Sequence, residues 1–377
     1  MAQTLRILDT LDGVDPDRWD ALAGGNPTLS FAFLDSLHRS GCASISRGWA
    51  PCYPTLWTGG ELVGAAPLYT KSHSFGEYVF DWAWAEAYER HGLAYYPKLV
   101  SAVPFTPAQG ARLLASDASI RGELAAALVT LARDSPVSSL HVLFPTPEDA
   151  VALRAQGLLE RSGVQFHWRN AGYDSFDAFL AALSHDKRKK IRQERRRVEE
   201  AGVTLRRATG REASGSDWDF FTHCYRRTYR EHRSTPYLDR RFFAMIAERM
   251  PDNVLLVIAE REGKPIAAAL DLFGAGVLYG RYWGSVEYVP GLHFEACYYQ
   301  GIEFCIERGI ALFEGGAQGE HKHARGFLPE ITRSFHWLAH PAFNRAVDDY
   351  LEREGSGIAA YVDELSDRSP FKMESPG

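Results

Sequence analysis

The sequence lacks the cysteine pattern of a disulfide-stabilised or zinc-binding protein. Its five cysteines are odd in number and form no CxxC pair, so we expect reduced thiols in a cytoplasmic protein. No apolar run approaches the ~20 residues needed to cross a bilayer, and the first residues alternate apolar with acidic side chains where a secretory signal would start with basic ones. The composition therefore predicts a soluble cytoplasmic chain with no membrane insertion.

Excess positive charge and two common catalytic signatures are also missing. The 42 Lys plus Arg against 48 Asp plus Glu give a net charge of −6, which argues against general adhesion to nucleic acid, so a polyanion site would have to be local. The absence of GxSxG and GxGxxG excludes a nucleophile elbow and a dinucleotide fingerprint. Hydrophobic residues make up 45% of the 377 residues, which is enough for two domain cores.

The two halves of the sequence share one order of predicted elements. In each half, two helices precede a β-hairpin, within residues 53–71 and again within 254–273, and a helix and a further strand follow. This order describes the core of the GNAT acyltransferase fold. We predict an α/β chain with two tandem GNAT-like domains, at 1–175 and 203–377, joined by basic linker helices within 176–202.

A basic run occupies the predicted linker and carries eight Lys or Arg residues between His185 and Arg197. One interpretation is an ordinary solvated helix face. The other is a phosphate site for a nucleotide, for coenzyme A or for an RNA acceptor stem, because arginine offers a planar donor fork and lysine a point charge. The residues predicted to bind phosphate are Arg188, Lys189, Arg192 and Arg195, together with His293 at the start of a later helix.

Residues 71–90 mix aromatic rings with charges of both signs. Core packing would explain the rings but not the charged groups among them, whereas aromatic walls with a few fixed polar groups are typical of ligand pockets. We therefore predict that this segment binds a substrate. The residues concerned are Lys71, His73, Tyr78, Asp81, Trp82 and Arg90.

The densest polar cluster follows a buried-type strand, within residues 313–329. Its four glycines permit close approach of the backbone to a ligand, although an ordinary glycine-rich surface turn is the alternative. Amide formation needs a base for the attacking amine, and Glu314, Glu320 and His321 are the candidates. Gln318, Lys322 and Arg325 are predicted to bind substrate. His321 and His323 lack a third metal ligand at a suitable spacing, so no metal is expected.

Four blocks resemble the signature blocks of the FemAB-like family of N-acyltransferases. They are KSHSFGEYVFDWAWAEAYERHGLAYYPKL (71–99), VPFTP (103–107), LHFEACYYQGIE (292–303) and FEGGAQGEHKHARGFLP (313–329). The resemblance implies a pair of GNAT-like domains joined by helices, as in the Fem enzymes, which add amino acids from aminoacyl-tRNA to peptidoglycan precursors. The chain departs from standard acetyltransferases at residues 288–294, where YVPGLHF replaces the usual pyrophosphate loop.

The sequence therefore predicts an N-acyltransferase that uses acyl-CoA or aminoacyl-tRNA as donor and an amine as acceptor, with a cell-wall precursor as one candidate acceptor. No cysteine other than Cys297 lies in the polar blocks, so direct attack in a ternary complex is favoured over a covalent intermediate. The alternative is a non-catalytic GNAT-like protein that binds a ligand or RNA.

Overall fold

The computed structural model describes residues 3–316 and 319–372. The strands are β1 (Gln3–Leu8), β2 (Trp49–Pro51), β3 (Tyr53–Thr58), β4 (Glu61–Ala65), β5 (Leu68–Lys71), β6 (Lys98–Ser101), β7 (Leu114–Ala115), β8 (Ser139–Leu143), β9 (Leu159–Arg169), β10 (Val203–Thr209), β11 (Val254–Arg261), β12 (Lys264–Gly274), β13 (Val277–Ser285), β14 (Leu312–Glu314) and β15 (Leu328–Leu338). The helices are α1 (Pro16–Ala23), α2 (Phe31–Arg39), α3 (Trp82–Arg90), α4 (Ala118–Asp134), α5 (Pro147–Ala155), α6 (Phe176–Ala182), α7 (His185–Glu200), α8 (Gly215–Glu231), α9 (Arg240–Arg249), α10 (Leu292–Phe294), α11 (Gln300–Arg308) and α12 (Pro341–Asp367). A π-helical turn, Glu295–Tyr299, joins α10 to α11.

The chain forms two compact units that are each discontinuous in sequence. The first unit is Met1–Gly163 with Ile331–Ala360, and the second is Val164–Glu330 with Tyr361–Gly377. This division differs from the predicted boundaries at 175 and 203. The reason is strand pairing: the end of β9 pairs with β14 in the second unit, and the end of β15 pairs with β8 in the first. The basic helix α7 consequently belongs to the second unit and does not lie between two domains.

The first unit contains a small and a larger β-sheet. In the small sheet the strand order is β1-β3-β4-β7, and the predicted hairpin of β3 and β4 is confirmed, with Gly59 and Gly60 at positive φ in its turn. In the larger sheet, β2, β5 and β6 are antiparallel neighbours and β6 runs parallel to β8. Strand β15 pairs antiparallel with the other edge of β8. Leu124 and Leu128 of α4 pack on Leu68, Leu99 and Leu140 to form the core.

The second unit is built on one mixed sheet. Strands β10 to β13 are antiparallel neighbours, β14 joins β13 in parallel, and β9 joins β14 antiparallel. The hairpin of β11 and β12 turns at Glu262 and Gly263, both at positive φ. Helix α8 begins with a capping box between Ser214 and Asp217, which satisfies two of the free N–H groups at its start.

No helix in the described part of the chain is both long enough and apolar enough to cross a membrane.

Candidate functional site

The two parallel strands of the second unit share only a short pairing. Residues 312–314 of β14 pair with residues 277–279 of β13. Strand β14 then ends, whereas β13 continues to Ser285 and stays paired with β12 along its other edge. In the described residues, the β14-facing edge of β13 beyond Tyr279 is therefore left without this partner. We call this place the strand opening.

A bulge in β13 lies just beyond the residues that pair with β14. Leu270 faces Tyr282 and Asp271 faces Gly280, so Arg281 is the extra residue. Bulges redirect the backbone of one strand and occur often beside active sites. The Asp271 carboxyl group accepts a hydrogen bond from the backbone N–H of Arg281, the extra residue of the bulge.

The rings of one tryptophan, two histidines and one tyrosine lie together at the strand opening. The ring of Trp283, on β13, lies 5.5 Å from that of His293, which lies 6.2 Å from His321. The Tyr298 hydroxyl lies 3.0 Å from Nε2 of His321. Tyr298 belongs to the π-helical turn, and such turns are frequent at functional sites because they shift side chains out of helical register.

Both histidines of this group are held neutral. Burial, with help from Lys322 and Arg325, lowers the pKa of His321. Burial and the charge of His321 lower the pKa of His293 to about 4. Because burial raises the pKa of Tyr298, its hydroxyl stays protonated at neutral pH. A neutral imidazole beside a phenol can accept a proton from a reacting group.

The loop that carries His321 is fixed to the end of β14 and to the helices. Nζ of Lys322 donates to the carbonyl of Gly316 at 3.3 Å, and burial lowers the pKa of this lysine to about 8. Gly319 has φ of +107°, and a Cβ there would lie 2.2 Å from the His321 ring. The position therefore requires glycine for both its conformation and the close approach of the ring.

A buried ion pair supports the same loop from the basic helix. Glu194 of α7 accepts from Nε and Nη2 of Arg325 and also binds the Tyr299 hydroxyl. Nη1 of Arg325 donates to the carbonyl oxygen of His321 at 2.6 Å, and the guanidinium lies 3.4 Å over the ring of Phe294. Arg325, predicted to bind substrate, thus has its donors engaged in holding the His321 backbone.

The other predicted bases have different environments. Glu314 is buried at the end of β14, beside the strand opening. Glu320 is exposed and accepts a hydrogen bond from the Tyr361 hydroxyl at 3.2 Å. Gln318 lies outside the described residues. Of the three predicted bases, Glu314 and His321 thus lie beside the strand opening, whereas Glu320 is directed toward α12.

Helix α7 presents part of its basic run to a groove of about 390 Å³, lined by His185, Arg188, Lys189, Arg192, Gln193 and Arg196. Arg192 also meets Asp177 at 3.3 Å. Arg195 points elsewhere: it forms hydrogen bonds with Glu295 and Glu303 and lies over the Phe176 ring. Its guanidinium is therefore already neutralised by carboxylates of the second unit.

In the first unit, the predicted segment contributes to a buried charge cluster, which we call the lysine cluster. Lys71 and Lys98 are fully buried with Glu77 and Asp81, and Lys98 binds both carboxylates. Burial lowers the pKa of Lys71 to about 7 and raises that of Glu77 to about 7. Burial opposes ionisation of Lys98, but the two carboxylates raise its pKa overall.

The remaining residues predicted in this segment lie around the cluster or at the surface. Nδ1 of His73 lies 3.4 Å from Nζ of Lys71. Tyr78 has φ of +63° and packs against the core of the unit. On α3, Trp82 is 42% exposed and Arg90 pairs with Glu86 in solvent.

In the first unit, β6 and β8 form the corresponding parallel strand pair. Other residues cover the end of this pair, whereas the second unit has the strand opening there. The fully buried Arg112 donates to the carbonyls of Leu143 at 2.7 Å and of Ala108 at 2.6 Å. Gly110 donates its N–H to the carbonyl of Phe144. Residues 108–112 thus cover the end of β8, and the two units differ at this corresponding place.

Four residues that shape these sites were not predicted from the sequence. Lys98 and Asp271 each stand alone in an apolar strand pattern, and Tyr298 and Glu194 stand within helices. An ionisable residue in a strand otherwise typical of the core was the available signal for the first two. Tyr298 and Glu194 carried no local signal, because their roles depend on partners distant in sequence.

No group of three metal-binding side chains comes together in the described residues.

The buried Asp271 leads to a testable prediction about how the free energy of unfolding depends on pH. Burial raises its pKa to about 8, so the folded protein holds a proton that the unfolded chain releases near pH 4. Stability attributable to this group is therefore complete below pH 4 and is lost as the pH rises toward 8. Relative to Asp271→Asn, the free energy of unfolding of the native protein should fall by about 1.4 kcal/mol per pH unit between pH 5 and 7.5.

Urea denaturation of both proteins across this pH range measures the effect. Exposed Asp348→Asn is the matched control and should run parallel to the native protein. Parallel curves for Asp271→Asn as well would mean that the carboxyl group is ionised in the folded state.

Comparison with known proteins agrees with this architecture. The sequence matches the FemAB-like family model, described as peptidoglycan biosynthesis/recognition, over residues 10–373. No curated protein matches the sequence. Among solved structures, a crystal structure of FemX is similar with a TM-score of 0.55 and 11% identity, over 92% of this chain and 100% of that chain.

Two further solved structures have the same fold. The C-terminal domain (DUF2156) of a putative lysylphosphatidylglycerol synthetase from Agrobacterium fabrum has a TM-score of 0.54 and 11% identity, over 89% of this chain and 95% of its own. L-PGS from Bacillus licheniformis has a TM-score of 0.53 and 11% identity, over 89% and 97%. The predicted α/β fold with two tandem GNAT-like domains is confirmed, and because the family model covers nearly the whole sequence, the chain belongs to the FemAB-like family.

Proposed function

We propose that the protein is an N-acyltransferase that moves an acyl or aminoacyl group from acyl-CoA or aminoacyl-tRNA to an amine, with a cell-wall precursor as the acceptor class. The observation that carries the proposal is the strand opening, with the neutral His321 and its phenol partner Tyr298 beside it. The family description, peptidoglycan biosynthesis/recognition, supports the choice of acceptor.

The edge of β13 beyond Tyr279 would bind the donor. Main-chain N–H groups at the edge of a strand can hydrogen-bond to a carbonyl and to the oxyanion that replaces it in the transition state. The bulge at Arg281, held by Asp271, would direct this edge toward the opening. In the first unit Arg112 and Gly110 cover the corresponding place, so we assign the donor to the second unit alone.

His321 would act as the base. When its Nε2 donates to the Tyr298 oxygen, Nδ1 keeps the lone pair that receives the amine proton. The amine nitrogen bonds to the carbonyl carbon, the bond from that carbon to the thiol sulfur or ribose oxygen breaks, and the proton passes to His321 and then to the leaving group. Glu314 remains the alternative base, since it also lies beside the opening.

The other assignments follow from position and charge. The groove on α7 would hold donor phosphates through Arg188, Lys189 and Arg192. Residues around the lysine cluster, including His73 and Trp82, would contribute to acceptor recognition in the first unit.

The proposal is tested by ligand-induced thermal stabilisation with acetyl-CoA, longer acyl-CoAs, a charged tRNA and a nucleotide-linked cell-wall precursor. A donor at 100 times its Kd should add about 2.7 kcal/mol to the free energy of unfolding. The stabilising donor is then incubated with amine acceptors, and amide product is measured by mass spectrometry. An Arg188→Ala/Arg192→Ala variant should lose most of the donor-induced shift.

The outcomes separate the candidate activities. A shift with acyl-CoA and amide product would identify a coenzyme A-dependent enzyme, and a shift with charged tRNA would identify an aminoacyl transferase. The groove on α7 also suits a non-catalytic RNA- or ligand-binding protein, and stabilisation without product would support that second function. No shift with any donor would refute the proposal.

A further inference from the structure

A second cavity of the second unit lies outside the strand opening and outside the groove on α7. It has a volume of about 550 Å³ and lies between α8 and the start of α9. Its lining residues are Asp219, Thr222, His223, Arg226, Arg230, Pro236 and Arg240. Three arginines and a histidine therefore converge on one space, in a chain whose net charge is −6.

Most of the positive charge in this cavity has no neutralising partner. Nε of Arg240 binds Asp219 at 2.6 Å, which leaves its other donors available. Arg226 and Arg230 are exposed on one face of α8, and in the described residues neither forms an ion pair with a carboxylate. With one carboxylate against three guanidinium groups, the lining has an excess of two positive charges.

The arrangement of these arginines is unfavourable without a ligand. Arg226 and Arg230 are four residues apart on α8, where like charges repel and destabilise a helix. Arg240 is followed by Arg241 in the first turn of α9, where the helix dipole favours acidic residues. Local arrangements that oppose stability are expected where they serve binding, and an anion in the cavity would offset both.

We infer that this cavity is a binding site for a diphosphate group. Arginine guanidinium groups bind phosphate oxygens with paired hydrogen bonds, and a diphosphate group carries enough negative charge to offset the two excess positive charges of the lining. The volume lies within the range of small-molecule sites. Thr222 and His223 add neutral polar groups that can orient the ligand.

The site is independent of acyl transfer but adjacent to its scaffold. The opposite face of α8 contacts β13: the Thr228 hydroxyl donates to the carbonyl of Trp283 at 3.0 Å. A Cβ at Gly284 would lie 2.3 Å from the carbonyl oxygen of Cys224. The same helix thus carries the diphosphate site on one side and supports β13 on the other.

Isothermal titration calorimetry of the full chain tests the inference. The probes are inorganic pyrophosphate, UDP, ADP and farnesyl diphosphate, which separate recognition of the diphosphate alone from recognition of a nucleoside or a lipid chain. At least one should bind, and Arg226→Ala/Arg230→Ala should weaken binding by about 100-fold or more, since two charge-assisted contacts are removed. Affinity should also fall as the salt concentration rises.

Arg227→Ala is the matched control, because Arg227 lies on the same helix and pairs with Glu231 at 2.7 Å. It should bind the probes like the native chain. Both α8 variants remove exposed or half-exposed side chains, and circular dichroism checks that they fold. The inference is overturned if no probe binds the native chain, if the double variant binds equally well, or if Arg188→Ala on α7 abolishes binding instead. Tighter binding of a short RNA stem, with no binding of any diphosphate, would also overturn it.

Discussion

Lys98→Met is expected to lower the free energy of unfolding by about 3–5 kcal/mol, the largest stability effect that we predict for a single substitution. Lys98 is fully buried and binds Glu77 at 2.7 Å, Ser74 at 2.8 Å and the Asp81 carboxylate. Methionine fills a similar volume but removes the ammonium group that binds the buried carboxyl groups of Glu77 and Asp81. Removing one member of a buried ion pair costs this much because an uncompensated charge remains.

Urea denaturation measures the loss, and hydrogen exchange locates it. The amides of β5, β6 and β8 should lose protection, whereas those of β11 and β12 in the second unit should change little. Lys190→Met, on the exposed part of α7, is the matched control and should shift stability by less than about 0.5 kcal/mol.

A further variant distinguishes lost charge balance from lost packing. Lys98→Met combined with Glu77→Gln and Asp81→Asn should be less destabilised than Lys98→Met alone, since the orphaned charges are gone. Equal or greater destabilisation of the triple variant would show that the lysine stem, and not its charge, stabilises the unit.

His321→Ala is expected to lower kcat for acyl transfer by about 10²–10⁴-fold, the usual contribution of a positioned base. Its Km for donor should change little, because the β13 edge, which we propose binds the donor, is untouched. The native protein should also lose this proposed activity below pH 6.5, since burial lowers the pKa of His321 below its ordinary value of 6.5. Above that pH the imidazole is already neutral, so the rate should not rise further from this group.

Variants of neighbouring residues test whether His321 or another side chain acts as the base. Tyr298→Phe keeps the ring and removes the hydroxyl that lies 3.0 Å from His321, so a loss of about tenfold is expected from one hydrogen bond. His232→Ala, at the exposed end of α8, is the matched control and should keep full activity. Full activity of His321→Ala with a large loss in Glu314→Gln would transfer the role of base to Glu314.

Elements with strong local signals were predictable from the sequence. Helix α1 begins with Pro16 after the N-cap Asp15, and α5 begins with Pro147 after the N-cap Thr146. In both, the cap side chain accepts a backbone N–H, and proline fixes the φ of the first turn. The two hairpins followed from alternating apolar residues on either side of glycine-containing turns.

Features that depend on distant pairing were not predictable. Nothing in the sequence of β9 indicates that its end pairs with β14, about 150 residues later, so the predicted domain boundaries differ from the units. Lys98 meets Glu77 and Asp81 only because β6 folds against the segment after β5. The Tyr298–His321 contact likewise joins a helix and a loop through tertiary packing.

The pairing of β8 with β15 has a consequence for synthesis on the ribosome. Leu143 emerges roughly 190 residues before its partner Ser334, which at about 5–20 residues per second corresponds to about 10–40 s. Throughout that interval the nascent chain carries an open strand edge, a template for pairing with other chains. The first unit therefore cannot be completed until residues 331–360, which carry the end of β15, have been synthesised.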